Sequence, residues 1–267
     1  MQNRYIGDVG DFGKFGLLRK LCHGTPPLKL GVVWYLTDCG NETAADGKHV
    51  GYLEGQCRSA LQKRFRSCDP ALYDALRRLL LDADGKVVAE RRLIVTIENG
   101  GVLPEGTVFF GETLKHKDGT SRSEWHKRGL KKTAEEDVMF IDPDNGIQSQ
   151  SSRTTGPKHA LWSEIKAFAG DCRTVVVYHH LHRSAPHVEQ IKLLRREFQK
   201  HMPKGFETFC MLFRRGTRRV FLVAAAPPHR HVVADRLSEM LSGEWVNRGH
   251  FLRELSYTRT VVAPVQP

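Results

Sequence analysis

Val138-Met139-Phe140-Ile141-Asp142-Pro143-Asp144-Asn145-Gly146 is the stretch whose reading decides the fold. Four apolar residues run into an acidic tip and stop at a glycine, the pattern of a buried strand in a parallel sheet. In open α/β sheets, ligands gather just beyond the carboxyl ends of such strands. Asp142 and Asp144 therefore stand where chemistry takes place in this fold class, and the flanking chain reads as a crevice built around them.

Downstream, 160–169 has the spacing of a helix, and 173–178 is a strand ending in His179-His180-Leu181-His182. A basic amphipathic helix follows over 187–201. The strands 207–213 and 219–226 are joined by Arg214-Arg215-Gly216-Thr217-Arg218 as a basic hairpin, and 231–242 is the last helix. Upstream, 30–36 is a strand that runs into Thr37-Asp38-Cys39-Gly40-Asn41. Residues 69–81 form a helix with Asp69 as cap and Pro70 at its first position. A strand over 92–97 closes on Glu98, and 107–111 forms a further short strand. An acidic residue after the second strand commonly accepts hydrogen bonds from a ribose, which makes Glu98 the candidate. This alternation predicts an α/β fold: a doubly wound, mostly parallel Rossmann-like sheet with an antiparallel edge hairpin. One domain spans 1–267, with a basic insertion around 112–133.

The N-terminal segment carries glycines at 7, 10, 13 and 16, which let the backbone approach a partner closely. Asp11 is the expected cap of a helix bearing Phe15, Leu18 and Leu21. Gly7, Asp8, Asp11 and Lys14 together make a candidate ligand-binding segment.

The formal net charge of +11 attracts polyanions, nucleic acid first among them. The charge is clustered: Lys115, Lys117, Arg122, Lys127, Arg128, Lys131 and Lys132 in one segment, then Arg214, Arg215, Arg218 and Arg219 in the hairpin. Trp125 among the first cluster suits either base stacking or packing. Six cysteines without a CxxC pair read as free thiols in a reducing cell, and no spacing supports a structural zinc site. His179, His180 and His182 invite a metal, but no fixed ligand spacing supports one, and no metal is assigned to them. Without a long apolar run or a signal-like N-terminus, the expected localisation is cytoplasmic.

In this order of strands and loops the chain resembles the Rossmann-fold S-adenosylmethionine (SAM)-dependent methyltransferases, and within them the 23S ribosomal RNA adenine-N6 methyltransferase family. The matching residues are Gly7-Asp8-Val9-Gly10-Asp11-Phe12-Gly13-Lys14, Tyr35-Leu36-Thr37-Asp38-Cys39-Gly40-Asn41, Tyr52-Leu53-Glu54-Gly55 and, on the family's catalytic tetrapeptide, Asp142-Pro143-Asp144-Asn145. The resemblance implies SAM held by Gly7, Asp8, Asp11, Asp38, Gly40 and Glu98. It implies an acceptor amine bound by Asp142 and the Pro143 carbonyl, with Asp144, Asn145 and Lys14 completing the catalytic set. Asn145 departs from the family in having no ring to stack on a base. Lys127, Arg128, Lys131, Arg214, Arg215 and Arg218 are the expected contacts to RNA or DNA. Two alternatives stand beside this. In the first, Asp142 and Asp144 hold Mg²⁺ in a nuclease or hydrolase with His179 or His180 as general base. In the second, the fold binds nucleic acid without catalysis.

Overall fold

The computed structural model describes residues 2–37, 47–55, 59–114, 119–148, 156–252 and 260–261. Its strands are β1 (Leu30–Trp34), β2 (Val108–Phe110), β3 (Val138–Asp142), β4 (Gly146–Ile147), β5 (His159–Ala160), β6 (Thr174–His180), β7 (Glu207–Phe213), β8 (Arg219–Ala225) and β9 (Thr260–Val261). Seven of them form one sheet in the order β2-β1-β3-β6-β8-β7-β9, while β4 and β5 pair separately. The first four strands in that order are mutually parallel. Strand β8 runs antiparallel to both β6 and β7, and β9 antiparallel to β7. This is the doubly wound, mostly parallel sheet with an antiparallel edge that the sequence predicts.

The helices are α1 (Val9–Cys22), α2 (Ala60–Arg66), α3 (Pro70–Leu80), α4 (Ile94–Asn99), α5 (Gly119–Lys132), α6 (Trp162–Ala169), α7 (His187–His201), α8 (Arg230–Ser242) and α9 (Glu244–Asn247). They cover both faces of the sheet, because alternate strand residues point to opposite sides. Val32, Phe140, Val176 and Phe221 face a core built with Phe12 and Phe15 of α1, Leu76 of α3 and Leu237 of α8. Val33, Ile141, Val177 and Leu222 face a second core built with Trp125 of α5, Phe168 of α6 and Phe198 of α7.

One strand prediction fails. Residues 92–97 form no strand; most of the run is α4, with Ile94 and Ile97 buried one turn apart and Leu93 and Val95 exposed. The second strand of the sheet is Val108–Phe110. The segment expected as an insertion supplies α5, which links β2 to β3. Its Trp125 is buried edge-on against Tyr35 and donates its indole N–H to the Glu112 carbonyl, so it packs and offers no face to a base. Among the described residues, no helix is long and apolar enough to cross a membrane.

Strand order fixes where a ligand can sit. From β1 the chain moves outward to β2, then returns to β3 on the other side of β1. The switch point lies between β1 and β3, with Trp34 in register with Asp142 at their carboxyl ends.

Helix α1 reaches this point by packing its glycine face onto neighbours. A Cβ on Gly13 would stand 2.5 Å from the Phe213 ring, and one on Gly16 2.2 Å from the Trp245 ring. In an open helix Gly→Ala stabilises by up to about 1 kcal/mol. Here Gly13→Ala and Gly16→Ala are expected to destabilise instead, by about 1–3 kcal/mol each. Gly51→Ala, whose Cβ meets nothing within 4 Å, serves as the control. Urea unfolding at constant m-value reads the difference.

Candidate active site at the sheet switch point

Helix α1 starts at Val9 because Asp8 caps it, its Oδ1 accepting from the Gly10 N–H at 2.9 Å. The sequence reading assigned that role to Asp11, which lies instead in the first turn. There its Oδ2 accepts from the Gly7 N–H at 3.0 Å. Gly7 has φ +78°, a conformation that any side chain would strain, and a Cβ there would also strike Leu80. Lys14 is three residues beyond Asp11 and so shares its helix face. Its Nζ donates to Asp11 Oδ1 at 2.9 Å and to Asp142 Oδ2 at 2.8 Å.

This triad is almost wholly enclosed, with all three side chains about 4 % exposed or less. Burial opposes the charge on Lys14, but Asp11 and Asp142 together outweigh it and hold the ammonium well above its usual range. Burial also pushes the Asp11 carboxyl up, against the pull of Lys14. Lys14 therefore stays protonated and acts as an anchor for Asp142; it is neither a base nor a nucleophile near neutral pH.

Strand parity assembles the remaining groups. Phe140 and Asp142 share one face of β3, Tyr178 and His180 the same face of β6, and Arg219 and Phe221 that of β8. Arg219 donates to Asp8 Oδ1 at 3.3 Å, a second tie between α1 and the sheet. Tyr178 hydroxyl and His180 Nε2 share a hydrogen bond of 2.6 Å. Gln2 Nε2 donates to Asp144 Oδ2 at 2.6 Å, with Lys158 Nζ at 3.9 Å from the same oxygen. Asp8, Asp11, Lys14, Asp142, Asp144, Tyr178, His180 and Arg219, with Pro143 and Asn145, line a cavity of about 350 Å³. Four carboxylates (Asp8, Asp11, Asp142, Asp144) face two buried cations (Lys14, Arg219) and the half-buried Lys158 beside Asp144, so carboxylates outnumber cations by one.

A second cavity, of about 930 Å³, opens beyond the ends of β1 and β2. Leu36, Ile94, Phe109 and Phe110 give it apolar walls, Glu98 and Glu112 bring carboxylates, and Arg128, Lys131 and Lys132 bring cations. Trp34 stands between the two cavities. Its ring lies 5.7 Å from Lys14 Nζ on one side, and its indole N–H donates to Glu98 Oε1 at 2.9 Å on the other. Glu98 thus reaches this cavity from the end of α4 and not from a strand. Because β2 is Val108–Phe110, the acid that follows the second strand is Glu112, which the sequence reading passed over. Val108-Phe109-Phe110-Gly111-Glu112 carried the signal, an apolar run closing on Gly and an acid.

Gly7, Asp8, Asp11, Lys14, Asp142, Pro143, Asp144 and Asn145 are brought together; Asp38 and Gly40 lie outside the described residues. Sequence reading also missed Gln2, Trp34, Tyr178 and Arg219. Arg219 was assigned to the basic hairpin surface, yet it is buried against Asp8. Arg122 likewise turns inward, donating to Glu164 at 2.6 and 2.9 Å. Lys127 pairs with Glu124 and Arg128 with Glu112 at the surface. Lys131, Arg214 and Arg218 are exposed, and Arg215 is half-buried, donating to the Arg248 carbonyl. Among the described residues, no group of three or more His, Cys, Asp or Glu side chains is arranged to hold a metal ion.

The two histidines that end β6 divide between the faces. His179 follows Val175 and Val177 to the side opposite α1, where its Nδ1 accepts from the Ile147 N–H at 3.0 Å. Burial pushes the His179 imidazole down to about 3 and His180 down to about 4. Both rings are neutral at physiological pH and too weakly basic for the general-base role that the hydrolase alternative gives them.

Comparison with known proteins gives no match to a family model and none to a curated sequence. The fold and site define a doubly wound α/β protein with an anionic crevice at its switch point.

The two imidazoles carry a pH signature. Each titrates below the roughly 6.5 of an unfolded-chain histidine, so protons favour the unfolded chain. Their stabilisation is complete above about pH 6.5 and is lost as pH falls toward the folded values, by up to about 1.4 kcal/mol per pH unit and ring. The thermal midpoint is expected to drop between pH 7 and pH 5. A His179→Asn, His180→Asn double variant should show a flatter profile, and an unchanged slope would refute the assignment.

Proposed function

We propose that the chain is a SAM-dependent methyltransferase that acts on an amino group of a nucleic acid. The observation carrying this reading is the pairing of two cavities across Trp34 at the switch point: a roomy one with apolar walls, two carboxylates and the cations Arg128, Lys131 and Lys132, and a carboxylate-rich one headed by Asp142. A nucleoside suits the first, since carboxylates accept hydrogen bonds from ribose hydroxyls and apolar walls cover a base. An excess of carboxylates in the second suits a cationic centre such as a sulfonium.

When bound, SAM supplies an electrophilic methyl group. The chain's own part is binding and orientation, which dominate where the reaction is an in-line transfer. Glu98 and Glu112 hold the nucleoside end. Asp142 and the Pro143 carbonyl accept hydrogen bonds from the acceptor amine and so aim its lone pair. Lys14 fixes the Asp142 carboxylate in place, and Gln2 does the same for Asp144. The hydrolase alternative is weaker on two counts: Asp142 Oδ2 is already engaged by Lys14, and the flanking histidines are poor bases.

Calorimetry with SAM is expected to give a dissociation constant in the micromolar range. Glu112→Gln, at an exposed position, should weaken it at least tenfold. Asp142→Asn should retain SAM binding yet abolish transfer of labelled methyl groups to RNA or DNA. No heat with SAM overturns the reading.

The nucleic-acid part of the proposal rests on the net charge and on exposed Lys131, Lys132, Arg214 and Arg218. Replacing Arg214 and Arg218 together by Ala is expected to reduce the slope of log K against log salt by about 1 to 2, as lost phosphate contacts require. An unmoved slope would take the hairpin out of the contact surface.

A further inference from the structure

The turn between β7 and β8 sits at the mouth of the Asp142 crevice, where Thr217 and His49 form part of the lining. Gly216, with φ +64°, lays this turn on the start of α1, and a Cβ there would stand 2.9 Å from Val9 Cγ1. Just before the turn, His250 brings α2 against the hairpin. The His250 side chain is wholly buried, its carbonyl accepts from the Arg214 N–H at 2.9 Å, and its Nε2 lies 3.4 Å from the Arg64 carbonyl. Its ring centroid is 4.5 Å from that of Phe65 on α2, and it stacks on Phe213 of β7 at 6.2 Å with the planes 10° apart. Two elements packed on one imidazole gather Arg64, Arg214 and Arg215 at one place.

Among the described residues, no carboxylate pairs with any of the three; Glu244 on α9 is committed to Arg248, and Asp74 on α3 to Arg66. Arg215 gives an Nη2 hydrogen to the Arg248 carbonyl, while its Nε is buried and meets no acceptor among the described residues. Burial, and then the charges of Arg64 and Arg214, pull the Arg215 guanidinium below its usual range. Burial also pushes the neighbouring Cys68 thiol up to about 12, so no thiolate serves as counter-charge. Like charges gathered around a spare buried donor call for an anion with several oxygens, and the planar guanidinium fork matches phosphate.

Resting on the nucleic-acid part of the reading above, we propose that Arg64, Arg214 and Arg215 form a phosphodiester site that holds a strand on the α2 side of the hairpin, beside the crevice mouth. Arg64, in the last turn of α2, is the member that its own sequence neighbourhood does not reveal; only the packing on His250 brings it to the hairpin. The strand is favoured over a free phosphate ion by what stands past the turn. There Arg218, also exposed, donates to His187 Nδ1 of α7 at 2.9 Å. Cations therefore flank Thr217 on both sides, toward α2 and toward α7. A single ion engages one flank, whereas successive phosphates of one strand engage both.

The test is titration of the full chain with a short single-stranded RNA over a range of salt. Arg64→Ala, at an exposed position, is expected to reduce the slope of log K against log salt by about 0.7, the loss of one single-strand phosphate contact. Arg78→Ala, an equal change of charge at an exposed position on α3, should leave the slope as it is. The RNA should also shift the Arg215 Nε–H resonance, and inorganic phosphate should need about a hundredfold higher concentration to do so. A slope unmoved by Arg64→Ala overturns the proposal. Saturation by inorganic phosphate at the RNA concentration overturns it in favour of a small phosphate ligand, and an equal response to poly-glutamate in favour of an acidic protein. If the Arg214→Ala, Arg218→Ala pair flattens the slope and Arg64→Ala does not, the α2 site alone is lost. If neither does, the nucleic-acid reading falls as well, and SAM calorimetry reports on the cofactor independently of both.

Discussion

The ion triad Asp11–Lys14–Asp142 is the constraint on which the rest of the molecule depends. A buried charge is tolerated only when partners replace the water it has lost, and a single missing partner would strand the others. Lys14 meets that requirement only if the first turns of α1 lie directly over the carboxyl end of β3. Its ammonium is further enclosed by the rings of Phe15, Trp34, Phe140 and Tyr178, each with its centroid within 6 Å. The Asp8–Arg219 pair repeats the tie one turn earlier, against β8. Two ion contacts thus hold one helix over four strands, and the crevice between them is set by covalent geometry and charge together.

Much of this was legible because strand parity is a property of sequence. Once Val138–Ile141 is a strand, Asp142 must follow Val138 and Phe140 to one face, and Lys14 belongs with Asp11 on one face of α1. The helix over 187–201 and the hairpin of β7 and β8 are equally local, each written in a period of its own. What escaped was non-local. Arg122 and Arg219 look like surface cations among other cations, and only partners 42 and 211 residues away, Glu164 and Asp8, turn them inward. The run Leu93-Ile94-Val95-Thr96-Ile97 has the composition of a strand, yet packing wants only Ile94 and Ile97, and a helix delivers both to one side. Tertiary demand overrode β propensity there. The error then propagated, because it assigned the second-strand acid to Glu98 and hid Glu112.

The histidine pair at the end of β6 shows the same physics at finer scale. His179 and His180 are neighbours in sequence and opposites in space, one turned toward α7 and one toward α1. A cluster that suggests a metal site on paper is split by the pleat, and its members serve the two sides of the sheet. The loop 142–147 connects them: Asp142 points to the α1 side, and Gly146 turns the chain over His179.

A site that straddles a sheet in this way has a functional consequence. Groups held on opposite faces can approach each other only around the end of a strand, and at β3 that end is the tetrapeptide. The cavity beside Trp34, lined by both carboxylates and cations, lies to one side of it, and the imidazole of His179 to the other. Under the proposed transfer Asp142 is the point at which cofactor and acceptor meet, and its enclosed pair with Lys14 keeps that carboxylate fixed.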